Sequence, residues 1–139
     1  GVVAEIIMFA FAHIFLTRFS WRSLVSLCLV LTGARWIVVG LLPNSFFAQF
    51  LAQTIHAFSF GLFHMIAMRI IFQNFSMGQQ GRGQAMYSTM WGLGVALGSI
   101  LAGRYWQLIS GEMVFMIAGL STLVGLLFVR WLPKQIQQA

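Results

Sequence analysis

The chain has 139 residues, 60% of them hydrophobic and only 7% charged, where a soluble domain carries roughly 25% charged residues. Its two acids, Glu5 and Glu112, are too few to solvate a globular surface, and its formal charge of +6 comes from basic residues scattered singly. A soluble core and a basic patch for nucleic acid are both excluded, which leaves an all-α integral membrane protein.

In chain order, hydropathy and turn residues mark five apolar helices. The first covers residues 1–16, is short, and has neither an initiating Met nor a polar flank, so it reads as the cut end of a longer chain. The second covers 23–42 and stops at "PNS"; it holds the lone cysteine, Cys28, which has no internal disulfide partner. The third covers 46–72. A Gly-rich polar stretch, "QNFSMGQQGRGQ", then reads as a loop. The fourth helix covers 84–109, "SGE" turns the chain, and the fifth covers 113–132, closed by Pro133.

Five helices put alternate loops on opposite sides. Arg18, Arg22, Arg69, Arg82, Arg130 and Lys134 fall at one side and Arg104 alone at the other. Cytoplasmic loops carry the excess of Lys and Arg, so the C-terminus and the "TRFSWR" loop are expected in the cytoplasm.

Three ionisable residues then lie at depth. On the 1.5 Å helical rise, Glu5 sits about 17 Å from the cytoplasmic end of its helix, His56 about 15 Å from the outer end of its own, and Arg35 about 10 Å from the outer face. Such residues inside a membrane are costly and mark functional positions by default. Glu5 is the only acid at the right depth to balance Arg35; the competing reading is a structural ion pair that fixes helix packing. Gln49, Gln53, His56, Ser59, Phe60, Phe63 and His64 share one broad face of the third helix, so that face lines protein or a water-filled cavity. Interhelical hydrogen bonding explains the glutamines, but explains His56 less well. His13 lies near a helix end and reads as interfacial.

On the fourth helix, Gly94, Gly98 and Ala102 recur every four residues, a spacing that lets helix backbones approach closely. Tyr87 and Ser88, near its cytoplasmic end, are candidates for a gate. Trp106 and Trp131 suit an aromatic belt. No HExxH, CxxC, nucleotide-binding glycine pattern or pair of acids is present, so neither an enzyme nor a bound cofactor or metal is expected.

The phrases "GVVAEIIMFAFAH", "ARWIVVGL", "QTIHAFSFGLFHMIAMRII" and "GQAMYSTMWGLG" resemble the C-terminal half of a major facilitator superfamily transporter, most of all the bacterial 3-phenylpropionic acid transporter group and its lactose permease-like relatives. The resemblance covers essentially the whole chain. It implies that the five helices are helices eight to twelve of a twelve-helix fold in the bacterial inner membrane, with the N-terminal half as the missing partner. The relatives carry a Glu on helix eight, an Arg on helix nine and, on helix ten, a His followed three residues later by a Glu. Glu5, Arg35 and His56 match the first three positions. Ser59 departs from the fourth, which leaves the proton carrier open.

The resulting expectation is one half of a proton-coupled carrier for a small organic solute, an aromatic carboxylate first. Arg35 would pair the carboxylate, and Phe60 and Phe63 would supply aromatic wall. A nucleoside or sugar symporter is the alternative, and a non-transporting membrane scaffold the further one.

Overall fold

The structure, a computed structural model, describes residues 2–132, with side-chain surroundings for all of these except 2–5, 8 and 12. Glu5 (as a side chain) and Lys134 therefore lie outside the described residues. The order is α1 Val2–Arg18, α2 Trp21–Leu41, α3 Phe46–Asn74, a single 3-10 turn Met77–Gln79, α4 Gln80–Ile109 and α5 Gly111–Val129, and the described residues contain no strand. Four of the helices are long and apolar enough to cross a membrane; α1 has 17 residues. The chain is an all-α membrane protein.

Serines start three of the helices. The Ser20, Ser45 and Ser110 hydroxyls accept from the backbone N–H of Ser23, Ala48 and Met113, which satisfies orphan donors in each first turn. Pro43 follows Leu42, the C-cap of α2, and disfavours helical backbone at that residue, where the chain leaves its helical path.

One expectation is corrected here. The stretch from Gln80 to Gly83 is helix, not loop. Gly83 is buried, and a Cβ built on it would stand 2.7 Å from Ile71 Cγ2 and 3.2 Å from the Phe75 ring. The glycine thus lets α4 start tight against the end of α3. Its role is close approach rather than chain breaking.

The central helix is α2. It packs on α5 along one side and on α3 along another, α1 lies on α3, and α4 touches only the flanks of α3 and α5. The buried core sits toward the end of the bundle that carries Arg18, Arg22 and Arg130, with Leu24 and Cys28 of α2 against Leu62 and Ile66 of α3. There Arg22 Nε donates to the Leu132 carbonyl at 2.8 Å and so ties the start of α2 to the end of α5. Elsewhere the large apolar side chains point outward, as a bilayer solvent allows.

Candidate functional site

Arg35 is one of two buried polar or charged residues among those described, at 7% exposure; the other is Ser59. Its Nε has no hydrogen-bond partner among the described residues. The guanidinium carbon sits 4.0 Å from the centre of the Trp36 ring. That contact contributes about 0.5–2 kcal/mol, which does not replace a hydrogen bond to the fork. Trp36 in turn stacks on Phe115 at 5.4 Å, and Phe115 meets Trp106 edge-on at 5.6 Å. An aromatic run therefore leads from the buried cation on α2 through α5 to α4.

A second run lies along α3. His56 and Phe60 have ring centres 5.3 Å apart, and Phe60 and His64 stack at 6.4 Å, the spacing of residues one turn apart on a helix. From α4, Trp91 approaches Phe60 at 6.3 Å, and Tyr87 approaches His64 with a hydrogen bond between its hydroxyl and His64 Nδ1 at 3.2 Å. These contacts join α3 to α4 through side chains alone.

Thr32 links the two runs in height. Its hydroxyl donates to Ser59 Oγ at 3.4 Å across the antiparallel α2–α3 pair. Three residues on along α2 is Arg35, and three residues back along α3 is His56. Both lie about 4.5 Å from that contact in the same direction, at one level of the bundle.

The sequence-predicted residues separate into groups. His56, Phe60, His64 and Tyr87 come together, and Arg35 shares a level with His56. Ser59, at 1% exposure, donates to the Ile55 carbonyl at 2.9 Å and accepts from Thr32, so its hydroxyl serves the α2–α3 seam and not the aromatic face. Phe63 stands apart from the ladder, on an apolar groove of about 270 Å³ with Leu29 and Gly125. Gln49 reaches back to the carbonyls of Leu42 and Pro43 and fastens the α2–α3 turn. Around Gly94 and Gly98 there is nothing within 4 Å of where a Cβ would stand, and Gly98 and Ala102 border an unfilled cleft of about 240 Å³ against α5.

Sequence reasoning missed Trp91, Thr32 and Phe115. The signal for Trp91 is its position four residues after Tyr87, on the same helix face. Among the described residues no three His, Cys, Asp or Glu side chains cluster as metal ligands.

A helical membrane protein with a buried, incompletely bonded cation level with an imidazole–aromatic ladder has the makings of a solute pathway. The family model described as "MFS_1 like family" matches residues 1–117, and the chain belongs to this family of major facilitator relatives, a transporter class. No curated protein and no solved structure matches it.

Proposed function

We propose that the chain is the C-terminal half of a proton-coupled carrier in a bacterial cytoplasmic membrane, with its C-terminus and Arg18–Arg22 loop in the cytoplasm. Its substrate is a small aromatic carboxylate such as 3-phenylpropionate. The observation that carries this reading is Arg35: a guanidinium at 7% exposure whose Nε finds no acceptor among the described residues. A substrate carboxylate completes its fork bidentately, and Trp36 beside it offers an aromatic face. Glu5, on α1, balances the charge in this reading, and Glu5 or His56 carries the coupled proton, since Ser59 does not titrate. Phe60 and Trp91 line the path, and His64 with Tyr87 forms a gate between α3 and α4. The unfilled small-residue face of α4 supports a second helical half as partner. Carriers of this kind bind solute near the midplane and alternate access by rocking.

The test is binding and uptake of labelled 3-phenylpropionate by the full-length carrier. Arg35→Gln is expected to lose carboxylate binding by about 100-fold or more, the scale of a buried charge pair, and Arg35→Lys to restore little because it lacks the planar fork. Wild-type affinity and proton-driven uptake in both variants would reduce Arg35 to a packing residue and end this reading.

A further inference from the structure

The Arg35 side chain is long and rotamer-rich, and no hydrogen bond to a described residue fixes its Nε. What it does touch is the Trp36 indole, with the guanidinium carbon 4.0 Å from the ring centre. Adjacent residues of a helix do not face each other, so the arginine stem bends round α2 for the two groups to meet. A guanidinium over an aromatic face is held there by the ring quadrupole. The setting of the cation therefore follows the setting of the indole.

The indole is itself held from α5. Trp36 and Gly40 are one turn apart on the face of α2 that meets α5. Gly40 is buried, and a Cβ on it would stand 3.0 Å from the Glu112 carbonyl oxygen and 3.1 Å from Phe115 Cβ. This close approach seats Phe115 against α2, and its ring stacks on Trp36 with centres 5.4 Å apart and planes 18° apart. Trp106 of α4 in turn meets the Phe115 ring edge-on at 5.6 Å. Three helices thus contribute to the setting of one buried cation, and the last ring of the series belongs to α4, which touches only the flanks of its neighbours.

We propose that Phe115 is a positioning residue for anion recognition. It holds the Trp36 indole, the indole sets the Arg35 guanidinium, and Trp106 steadies Phe115 from α4. Phe115 acts through Trp36 rather than on the anion. The proposal rests on the reading of Arg35 as the carboxylate site and adds the device that keeps its charge in one place. A loose cation of the same charge binds an anion less well, because its fork must be ordered when the carboxylate arrives.

The experiment has two readouts, both in the full-length protein in detergent. The first is the NMR signal of the Arg35 Nε–H in protein made with isotope-labelled arginine, assigned by its loss in Arg35→Lys. The indole ring displaces this signal from that of exposed arginines. Phe115→Leu keeps apolar bulk beside Gly40 but removes the ring, and is expected to bring the signal back toward theirs. The second readout is affinity for 3-phenylpropionate and for its neutral amide, 3-phenylpropanamide. Phe115→Leu should weaken the acid about 3–10-fold, in the range of a cation–π contact, and leave the amide unchanged. Phe115→Tyr, which keeps the ring, should restore both readouts. Trp106→Leu should move both in the same direction, with about a twofold loss for the acid, and decides the matter alone if Phe115→Leu does not fold. An unmoved Arg35 signal overturns the proposal, as does a moved signal with acid affinity intact. An equal loss for acid and amide overturns it too, since Phe115 is then a packing residue. No preference for the acid in the wild type, or wild-type affinity in Arg35→Gln, ends the reading of Arg35 itself and this one with it.

Discussion

Gly33 and Gly119 sit where α2 crosses α5, so closely that a Cβ on Gly119 would stand 2.9 Å from the Gly33 carbonyl oxygen and 2.9 Å from Ile37 Cγ1. Gly94 and Gly98 of α4 sit on an equally glycine-rich helix face and have nothing within 4 Å. The residue type is the same and the surroundings are opposite. In the first region small residues have already delivered close packing, which in a membrane is a main source of helix association. In the second they leave a helix that is held only at its flanks. The contrast separates a fixed seam from a face with room to move, and a carrier needs both.

The largest expected effect follows from the seam. Gly119→Ala drives a methyl group against a backbone oxygen, which cannot rotate away. We expect a loss of about 1–3 kcal/mol, the usual cost of overpacking, in denaturant unfolding of the full-length protein in detergent. Gly98→Leu, which grows into the cleft of about 240 Å³ beside α5 and meets no atom of this chain within 4 Å at its Cβ, should shift that unfolding curve less than Gly119→Ala does. It should lower uptake instead, because under the proposed rocking mechanism the cleft it fills would be space for α4 to move. Equal destabilisation by the two variants would break the comparison.

A smaller effect is expected where α4 is tied to α3. Tyr87→Phe keeps the ring against His64 and deletes only the hydroxyl that reaches Nδ1. The loss should be about 1 kcal/mol, as for a single hydrogen bond. Hydrogen exchange should then rise in α4 and not in α2, which has its own seam. A uniform rise along the chain would mean that α4 is not an independently loosened element.

These two regions also show where sequence is sufficient. The helices are legible because a run of about 20 apolar residues is a property of composition, whatever the neighbours. Arg35 and His56 stand out for the same reason, as charge or imidazole in a segment that should hold neither. The His56–Phe60–His64 spacing places three rings on one face by helical periodicity alone. What cannot be read is which glycine face meets a partner. "LGVALGSILAG" shows the dense small-residue repeat, yet the close crossing uses Gly33 and Gly119, which lie 86 residues apart with no local pattern between them. The start of α4 escapes a sequence reading for a related reason. Gly83 looks like a breaker until Ile71 and Phe75 are seen against it. The hydroxyl of Ser59 is similarly ambiguous, since only the position of Thr32 decides which helix it serves.

The smallest expected effect concerns the turn that hands α4 over to α5. Ser110 is the one described non-glycine residue with positive φ, at φ 73° and ψ 151°, a region that glycine alone occupies without strain. Its side chain contributes in return by accepting from the Met113 N–H, but at 3.5 Å this is a long cap. Replacing a capping serine by glycine costs only a few tenths of a kcal/mol, and glycine's extra freedom in the unfolded chain adds about 0.5–1 kcal/mol. Relief of the backbone strain returns about 1–3 kcal/mol. At the middle of these ranges the balance favours Ser110→Gly by a little under about 1 kcal/mol, read as a small rise in the denaturant midpoint. Trp106 packs over the neighbouring Gly111, where a Cβ would stand 2.6 Å from the indole, so Gly111→Ala should do the reverse by forcing that ring away. If Ser110→Gly instead weakens the protein, the Ser110 hydroxyl holds the α4–α5 turn more strongly than its geometry implies, and α4 is less free than its open face suggests.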